Sequence, residues 1–112
     1  MGFLVEVSDE QIRQEKEKAR ELRKSRWWKN RIAGGVCHYC GARVAPQELT
    51  LDHVVPIIRG GLSVKNNCVP ACRDCNSRKK YLLPLEWAQY LESLRKASEE
   101  GREPPDSPVP ED

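Results

Sequence analysis

Long apolar runs are absent from this chain of 112 residues. A membrane-spanning helix needs about 20 mainly apolar residues, and no stretch approaches that length. Phe3-Leu4-Val5 is too short for the apolar part of a signal peptide. Met1-Gly2 opens like a myristoylation site, but Glu6 stands where that site requires Ser or Thr. These absences predict a cytoplasmic protein.

Histidine is also scarce, since His38 and His53 are the only two in the chain. His38 lies between two cysteines, where a partly exposed spacer is the simplest interpretation. His53 follows Asp52 and precedes Val54-Val55-Pro56, where a short β-type run ends. A neutral imidazole can accept a proton from water near pH 7. Any histidine-based chemistry is therefore expected at His53.

Cysteine, in contrast, is present five times. Without an export signal the thiols are expected to stay reduced, and pairs spaced C-x2-C then predict metal ligands. The pairs are Cys37 with Cys40 and Cys72 with Cys75, and four thiolates suit one tetrahedral Zn²⁺. Such a staple fits a domain of this size, whose apolar core is small. Cys68 is interpreted as a small buried hydrophobe on a strand.

The formal net charge of +2 conceals an uneven distribution. Residues 36–83 hold seven Lys/Arg against three Asp/Glu, whereas residues 84–112 hold three against eight. A basic centre suits a polyanionic substrate. A solvated helix face produces the same count, so the charge supports nucleic-acid binding without establishing it.

Helix and strand signals divide the chain into four segments. A capping box of Ser8 and Gln11 predicts a helix from Asp9 to about Lys29. A short strand is expected over Leu49–Leu51, leading into Asp52-His53 and halted by Pro56. A second is expected over Asn67–Ala71, followed by a short helix from Cys72 to about Tyr81. Pro84 suits the first turn of a further helix, running to about Ala97 with Trp87, Ala88, Leu91 and Leu94 on its core face. The predicted organisation is a charged helix and linker over 1–35, a core over 36–83, a packing helix over 84–100 and a disordered acidic tail over 101–112.

Two oxygen-bearing side chains accompany His53. Asp52 should project from the opposite side of the strand and offers a hard oxygen to Mg²⁺, and Asn76 could supply a second. Few protein ligands and several waters are normal for Mg²⁺. A lone Asp-His pair is weak evidence, but its position between two zinc pairs strengthens it.

These motifs together resemble the HNH endonucleases of the ββα-metal (His-Me finger) type. The resemblance rests on Cys37-x-x-Cys40, Leu51-Asp52-His53-Val54-Val55-Pro56, Arg59-Gly60-Gly61, Asn67, and Cys72-Arg73-Asp74-Cys75-Asn76-Ser77-Arg78-Lys79. It covers roughly residues 36–80 and implies an α+β fold, a ββα core stapled by a four-cysteine zinc site and flanked by two helices.

The resemblance also implies a role for each matching residue. His53 would be the general base that activates water, while Asp52 and Asn76 would hold one catalytic ion, Mg²⁺ or another divalent cation. Asn67 would fix the loop that orients His53; the neighbouring Asn66 is the alternative, and register with Cys72 favours Asn67. The four cysteines would hold structural zinc, and the implied substrate is DNA.

Four cations near the last motif are candidate phosphate contacts: Arg73, Arg78, Lys79 and Lys80. For each of them a solvated helix face is an equally good interpretation. Trp27-Trp28 could stack on bases, although packing against the core is favoured. A domain this small has little surface for specificity, so weak sequence preference or reliance on a partner protein is expected.

Two other classes of function remain open at this point. One is a zinc-stapled nucleic-acid-binding module without catalysis, which has no need of Asp52, His53 and Asn76 together. The other is a zinc-dependent interaction domain, which the acidic tail favours slightly and the basic centre disfavours. The leading hypothesis is a metal-dependent endonuclease that hydrolyses DNA phosphodiester bonds.

Overall fold

The computed structural model describes residues 6–103 of the chain, and it shows the α+β architecture that the sequence predicts. Four helices and two strands occur in the described part. They are α1 (Asp9–Lys24), α2 (Arg26–Ile32), β1 (Thr50–His53), β2 (Cys68–Ala71), α3 (Arg73–Lys79) and α4 (Pro84–Glu100). Short 3-10 turns at Pro46–Glu48, Ile57–Arg59 and Lys65–Asn67 lie in the connections.

The two strands form an antiparallel hairpin in which Thr50 faces Ala71 and His53 faces Cys68. Successive side chains of a strand point to opposite faces, so Asp52 and His53 leave β1 in opposite directions. Helix α3 follows β2 directly and packs on the face of β1 that carries Thr50, where the Asn76 Nδ2 atom donates to Thr50 Oγ1 at 2.9 Å. This hydrogen bond joins α3 to the hairpin and completes the ββα unit.

The N-terminal helix that the sequence predicts over residues 9–29 is two helices in the structure. Ser25 interrupts it with extended backbone angles (φ −74°, ψ 154°), and its Oγ accepts from the backbone N–H of Trp28 at 3.2 Å. A serine in this conformation is a favourable N-cap, so a separate helix, α2, begins after it. The cap predicted at Ser8 is present, because its Oγ accepts from the N–H of Gln11 at 3.1 Å.

Buried side chains form two clusters on opposite sides of the hairpin. One joins the first cysteine pair to α3 and α4; its members are Cys37, Leu49, Ala71, Cys75, Leu82, Trp87 and Tyr90. The other joins α1 and α2 to the strands; its members are Ala19, Trp28, Leu51 and Cys68. Cys68 is therefore the small buried strand residue that the sequence predicts, with 1% of its surface exposed.

Helix α4 packs through a face rotated from the predicted one, with Trp87 and Leu94 against the core as predicted. Trp87, Tyr90 and Ala97 are buried, whereas Ala88 is exposed and Leu91 is 40% exposed. The aromatic rings decide the rotation of the helix: the Trp87 ring stacks on Tyr90, with 5.6 Å between centroids, and meets the edge of Tyr39 at 5.7 Å. Such aromatic pairs add to the free energy of simple area burial.

Helix α4 ends at Glu100, three residues beyond the approximate end at Ala97 and at the boundary predicted for the packing segment 84–100. Gly101 stops the helix in the left-handed conformation (φ 69°), as glycine commonly does at this position. Most of the tail predicted to be disordered, residues 104–112, lies outside the described residues. Between residues 6 and 103, each helix is too short or too polar to cross a membrane.

Gly61 occupies a position that tolerates no side chain. A Cβ atom there would lie 1.7 Å from the carbonyl oxygen of Val55, and the Gly61 N–H donates to the carbonyl of Pro56 at 2.9 Å. We expect Gly61→Ala to destabilise the protein by about 3 kcal/mol, because the backbone of the loop after His53 must move. Urea denaturation of the two proteins measures this difference.

Gly34→Ala is the matched control for that substitution. A Cβ atom at Gly34 would meet nothing within 4 Å, so the change should alter the free energy of unfolding by less than about 0.5 kcal/mol. Equal stability of the Gly61 and Gly34 variants would contradict the close approach described above.

Candidate active site and metal centre

The four paired cysteines converge on one point. The Sγ atoms of Cys37, Cys40, Cys72 and Cys75 all lie within 4.8 Å of one another, and those of Cys40 and Cys72 are 3.9 Å apart. A tetrahedron with Zn–S bonds of about 2.3 Å has sulfur atoms about 3.8 Å apart. The group is a metal-binding cluster, and its four soft donors fit a structural Zn²⁺.

The local backbone explains why the first pair can bind one ion. Gly41 adopts a left-handed φ of 73° and donates its N–H to the carbonyl of Cys37 at 3.0 Å, which closes a tight turn. The N–H groups of Tyr39 and Ala42 point at the sulfurs of Cys37 and Cys40. Burial opposes ionisation of the Cys37 thiol, yet the backbone N–H groups around it lower its pKa to about 7.

The second pair links this turn to helix α3. Cys72 is the N-cap of α3, and its sulfur accepts from the N–H of Cys75 at 3.5 Å. The N–H of His38 donates to the carbonyl of Pro70 at 2.8 Å, so the first turn is fastened to β2 as well. His38 is itself exposed, in agreement with its interpretation as a spacer. A metal ion bound by both pairs would therefore fix the start of α3 relative to the first turn.

Asp52 lies in a buried polar pocket between the first cysteine turn and α3. Its Oδ2 atom accepts from the Tyr39 hydroxyl at 2.5 Å and lies 3.1 Å from Lys79 Nζ. The Lys79 ammonium also donates to the carbonyl of His53 at 3.0 Å. Burial, followed by the hydrogen bond to Asp52, raises the pKa of Tyr39 well above its ordinary value. Tyr39 therefore remains a donor to the carboxylate.

The prediction that Lys79 contacts phosphate is wrong. Its side chain is 0% exposed and is fully engaged with Asp52 and the backbone of β1. A helix only seven residues long presents one side to the hairpin, and Lys79 falls on that side, three residues after Asn76. Arg73, Arg78 and Lys80 are exposed, and Arg78 pairs with Asp74 at 3.3 Å.

His53 lies on the opposite face of β1 and is half-buried. Its Nε2 atom is 2.8 Å from the Oγ of Ser63, a residue of the loop that returns to β2. Burial lowers the pKa of His53, an effect that the Asp52 charge partly opposes. The lowered pKa favours the neutral imidazole, which is the form that can accept a proton.

Asn67 ties together the two ends of that loop. Its Oδ1 accepts from the N–H of Val55 at 2.9 Å, while its Nδ2 donates to the carbonyls of Val55 at 3.1 Å and Leu62 at 2.8 Å. The structure thus places Asn67, rather than Asn66, on the segment directly after His53. These three hydrogen bonds of the Asn67 side chain fix the conformation of the segment that follows β1.

A cavity of about 340 Å³ opens beside the end of β1. Asp52, His53 and Asn76 all line it, so the structure brings these three predicted residues to one place. Two lysines, Lys16 of α1 and Lys80, line it as well. Its walls are completed by apolar side chains of Ile12, Leu51, Pro56, Ile57, Ile58 and Tyr81.

Lys80 reaches this cavity from a backbone conformation that side chains rarely adopt. Its φ is 46°, and no other non-glycine residue of the described chain has a positive φ. Such strain is common at functional sites. At the Trp27-Trp28 pair, Trp28 is 4% exposed and packs in the core, as favoured from the sequence, whereas Arg31 and Lys65 each lie about 6 Å from the ring of Trp27.

The four-cysteine cluster lies beside the ββα unit, and Asp52, His53 and Asn76 line one cavity. Together these features define a small nuclease-like domain. Residues 37–81 match the family model described as HNH endonuclease. This segment is an HNH endonuclease domain, and the resemblance inferred from the motifs is confirmed over that range. No curated protein matches the chain.

Sequence motifs do not identify several residues near the site. Glu15 and Ser63 are buried, with 3% and 6% of their surfaces exposed, and Tyr39, to which the C-x2-C motif assigns no role, contacts Asp52. Glu15 stands in a helix full of charged residues, so nothing in the sequence separates it from its solvated neighbours. Only its position opposite the loop after β1 distinguishes it.

Proposed function

We propose that this chain is a metal-dependent endonuclease that hydrolyses DNA phosphodiester bonds with His53 as the general base. The observation that carries the proposal is the convergence of His53, Asp52 and Asn76 on one cavity of an HNH endonuclease domain. The domain itself implies nuclease activity. DNA as the substrate, and the role of each residue, are the steps that the proposal adds.

His53 supplies the proton acceptor that the reaction needs. Its burial favours the neutral imidazole, and a general base works best when its pKa lies near the operating pH. The cavity at the end of β1 leaves room for a water molecule and a phosphate beside the ring. Removing a proton from that water as it attacks phosphorus would be the function of His53.

Asp52 and Asn76 supply the oxygen donors for a catalytic ion. Asn76 donates to Thr50 through Nδ2, so its Oδ1 would be the atom offered to the ion. Asp52 contacts Tyr39 and Lys79 through Oδ2, so it would offer its Oδ1. One carboxylate, one amide and several waters fit the requirements of Mg²⁺. A bound divalent ion would stabilise charge on the scissile phosphate.

The basic side chains around the cavity favour an anionic substrate. Lys16 and Lys80 line it, and Arg73 is exposed at the start of α3. Contacts of this type position a nucleic-acid backbone but carry no sequence information. We therefore propose binding to the DNA backbone, with weak sequence preference unless a partner contributes.

The same proposal assigns roles to the segments of the chain. Residues 36–83 form the nuclease core, and residues 84–100 form the helix that covers the zinc cluster. The contact of Trp87 with Tyr39 supports the second assignment, since it joins α4 to the turn that carries the first cysteine pair. Residues 1–35 supply the charged helices.

The test is a nicking assay on supercoiled plasmid with Mg²⁺ or Mn²⁺. We expect His53→Ala to reduce the cleavage rate by roughly 10²-fold or more, which is the contribution typical of a general base. Both proteins should bind the same amount of zinc, because His53 is not part of the cysteine cluster.

His38→Ala is the matched control, since His38 is the other histidine and is exposed. It should cleave at the rate of the unaltered protein. Plasmid that stays intact with every divalent ion, together with retained DNA binding, would instead support the zinc-stapled binding module. Equal loss of activity in both histidine variants would contradict the role of His53.

A further inference from the structure

The hydrogen bonds behind His53 lead out of the HNH segment and into helix α1. Ser63 is 6% exposed and Glu15 is 3% exposed. The Ser63 N–H donates to Glu15 Oε1 at 2.6 Å, and the Ser63 hydroxyl lies 2.6 Å from the backbone carbonyl oxygen of Glu15. Glu15 thus binds Ser63 at two points, and Ser63 contacts His53.

The direction of each hydrogen bond follows from the atoms involved. A carbonyl oxygen can only accept, so the single hydroxyl proton of Ser63 goes to Glu15. The lone pairs of the hydroxyl then face His53 Nε2 at 2.8 Å. For that contact to be a hydrogen bond, Nε2 must carry the proton of the neutral imidazole. Nδ1 is then the ring atom with a free lone pair.

The charge on Glu15 strengthens this arrangement. The backbone N–H of Ser63 lowers the pKa of the Glu15 carboxyl, with burial opposing and Lys18 assisting the effect. An ionised carboxylate accepts strongly from an N–H group. The loop that carries Ser63 is therefore held against α1, and the hydroxyl cannot rotate away from its two partners.

We propose that Ser63, fixed by Glu15 of α1, is a positioning residue that sets the tautomer of His53, so that Nδ1 accepts the proton from water. The inference rests on the proposed function of His53 as a base. It also makes α1, which lies outside the segment 37–81, a part of the active site, in agreement with the position of Ile12 and Lys16 at the cavity wall.

The direct test is a long-range ¹H–¹⁵N correlation spectrum at a pH where both imidazoles are neutral. The chain has only two histidines, so each ring can be assigned by substitution, and exposed His38 serves as an internal reference. We expect a protonated Nε2 and an unprotonated Nδ1 at His53. In Ser63→Ala the two tautomers should become mixed while the His38 signals stay unchanged.

Kinetics supply a second measurement. Ser63→Ala should lower kcat by roughly 10-fold or more, the loss typical when the partner of a functional side chain is removed, with KM within about twofold. Ser63→Thr retains the hydroxyl and should restore both the tautomer and kcat. Glu15→Gln keeps a side-chain oxygen that accepts from the Ser63 N–H, so it should preserve the tautomer. Glu15→Met removes that acceptor and should not preserve it.

Failure of this inference and failure of the proposed function would give different experimental results. A His53 ring protonated at Nδ1 in the unaltered protein would overturn this inference, whatever the cleavage assay shows. A Ser63→Ala spectrum identical to that of the unaltered protein would overturn it too. Absence of cleavage with the expected tautomer present would overturn the proposed function and leave the assignment of the hydrogen bonds standing.

Discussion

Removal of zinc is expected to unfold the protein. Structural zinc contributes on the order of 10 kcal/mol to the folding of small domains, and a whole domain is stable by only about 5–15 kcal/mol. Here Cys37 and Cys75 are also members of the hydrophobic cluster that contains Trp87 and Tyr90. Loss of the ion would therefore release the packing of α4 together with the position of α3.

Cys40→Ser is the sharpest substitution for this test. Cys40 is exposed, so the change removes one ligand without opening a cavity in the core. We expect the variant, and the unaltered protein after treatment with a strong chelator, to lose the cooperative thermal transition in circular dichroism. Bound metal is measured in parallel by mass spectrometry.

Cys68→Ala provides the control, because Cys68 is buried on β2 and lies outside the cluster. It should keep one zinc per chain and lose only about 1 kcal/mol of stability, as expected for a small truncation in a core. A chelated protein that still melts cooperatively at the original temperature would contradict the assignment of the four cysteines.

Replacement of Lys79 by methionine is expected to destabilise the protein by about 3–5 kcal/mol. The side chains of Lys79 and Asp52 are 0% and 7% exposed and lie 3.1 Å apart. Removing one partner of a buried ion pair leaves the other charge without compensation, which costs far more than the pair contributes. Tyr39 alone would then remain as a donor to the carboxylate.

Arg73→Met in the same helix is the control for that substitution, since Arg73 is exposed and the change should cost less than about 0.5 kcal/mol. The double variant Asp52→Asn with Lys79→Met removes both charges and should recover part of the lost stability. Urea denaturation of the set measures the coupling. Additive effects of the two substitutions would show that the ion pair is not formed.

Much of the site could be predicted from local patterns. The C-x2-C pairs identify a metal group because one tight turn must present two sulfurs to one ion. Asp52 and His53 sit at the end of a strand, where alternation alone sends them to opposite faces. Asn67 could be preferred over Asn66 from its register with Cys72, and its three hydrogen bonds agree with that choice.

Other features could not be predicted because they depend on which face of an element is covered. Lys79 looks like its neighbour Lys80 in sequence, yet one is fully buried and the other lines the cavity. Ala88 and Leu91 belong to an apolar stripe but are exposed, because the rings of Trp87 and Tyr90 set the rotation of α4. The break at Ser25 depends on a cap that competes with continuation of the helix.

The sequence by itself determined the ligand set, the strand that carries Asp52 and His53, and the family of the segment 37–81. These depend on short spacings, which local geometry restricts. Only the tertiary structure decided which groups surround those residues: Lys79 and Tyr39 on Asp52, and Ser63 with Glu15 behind His53. Glu15 and Ser63 are 48 residues apart, and no local pattern encodes a contact over that separation.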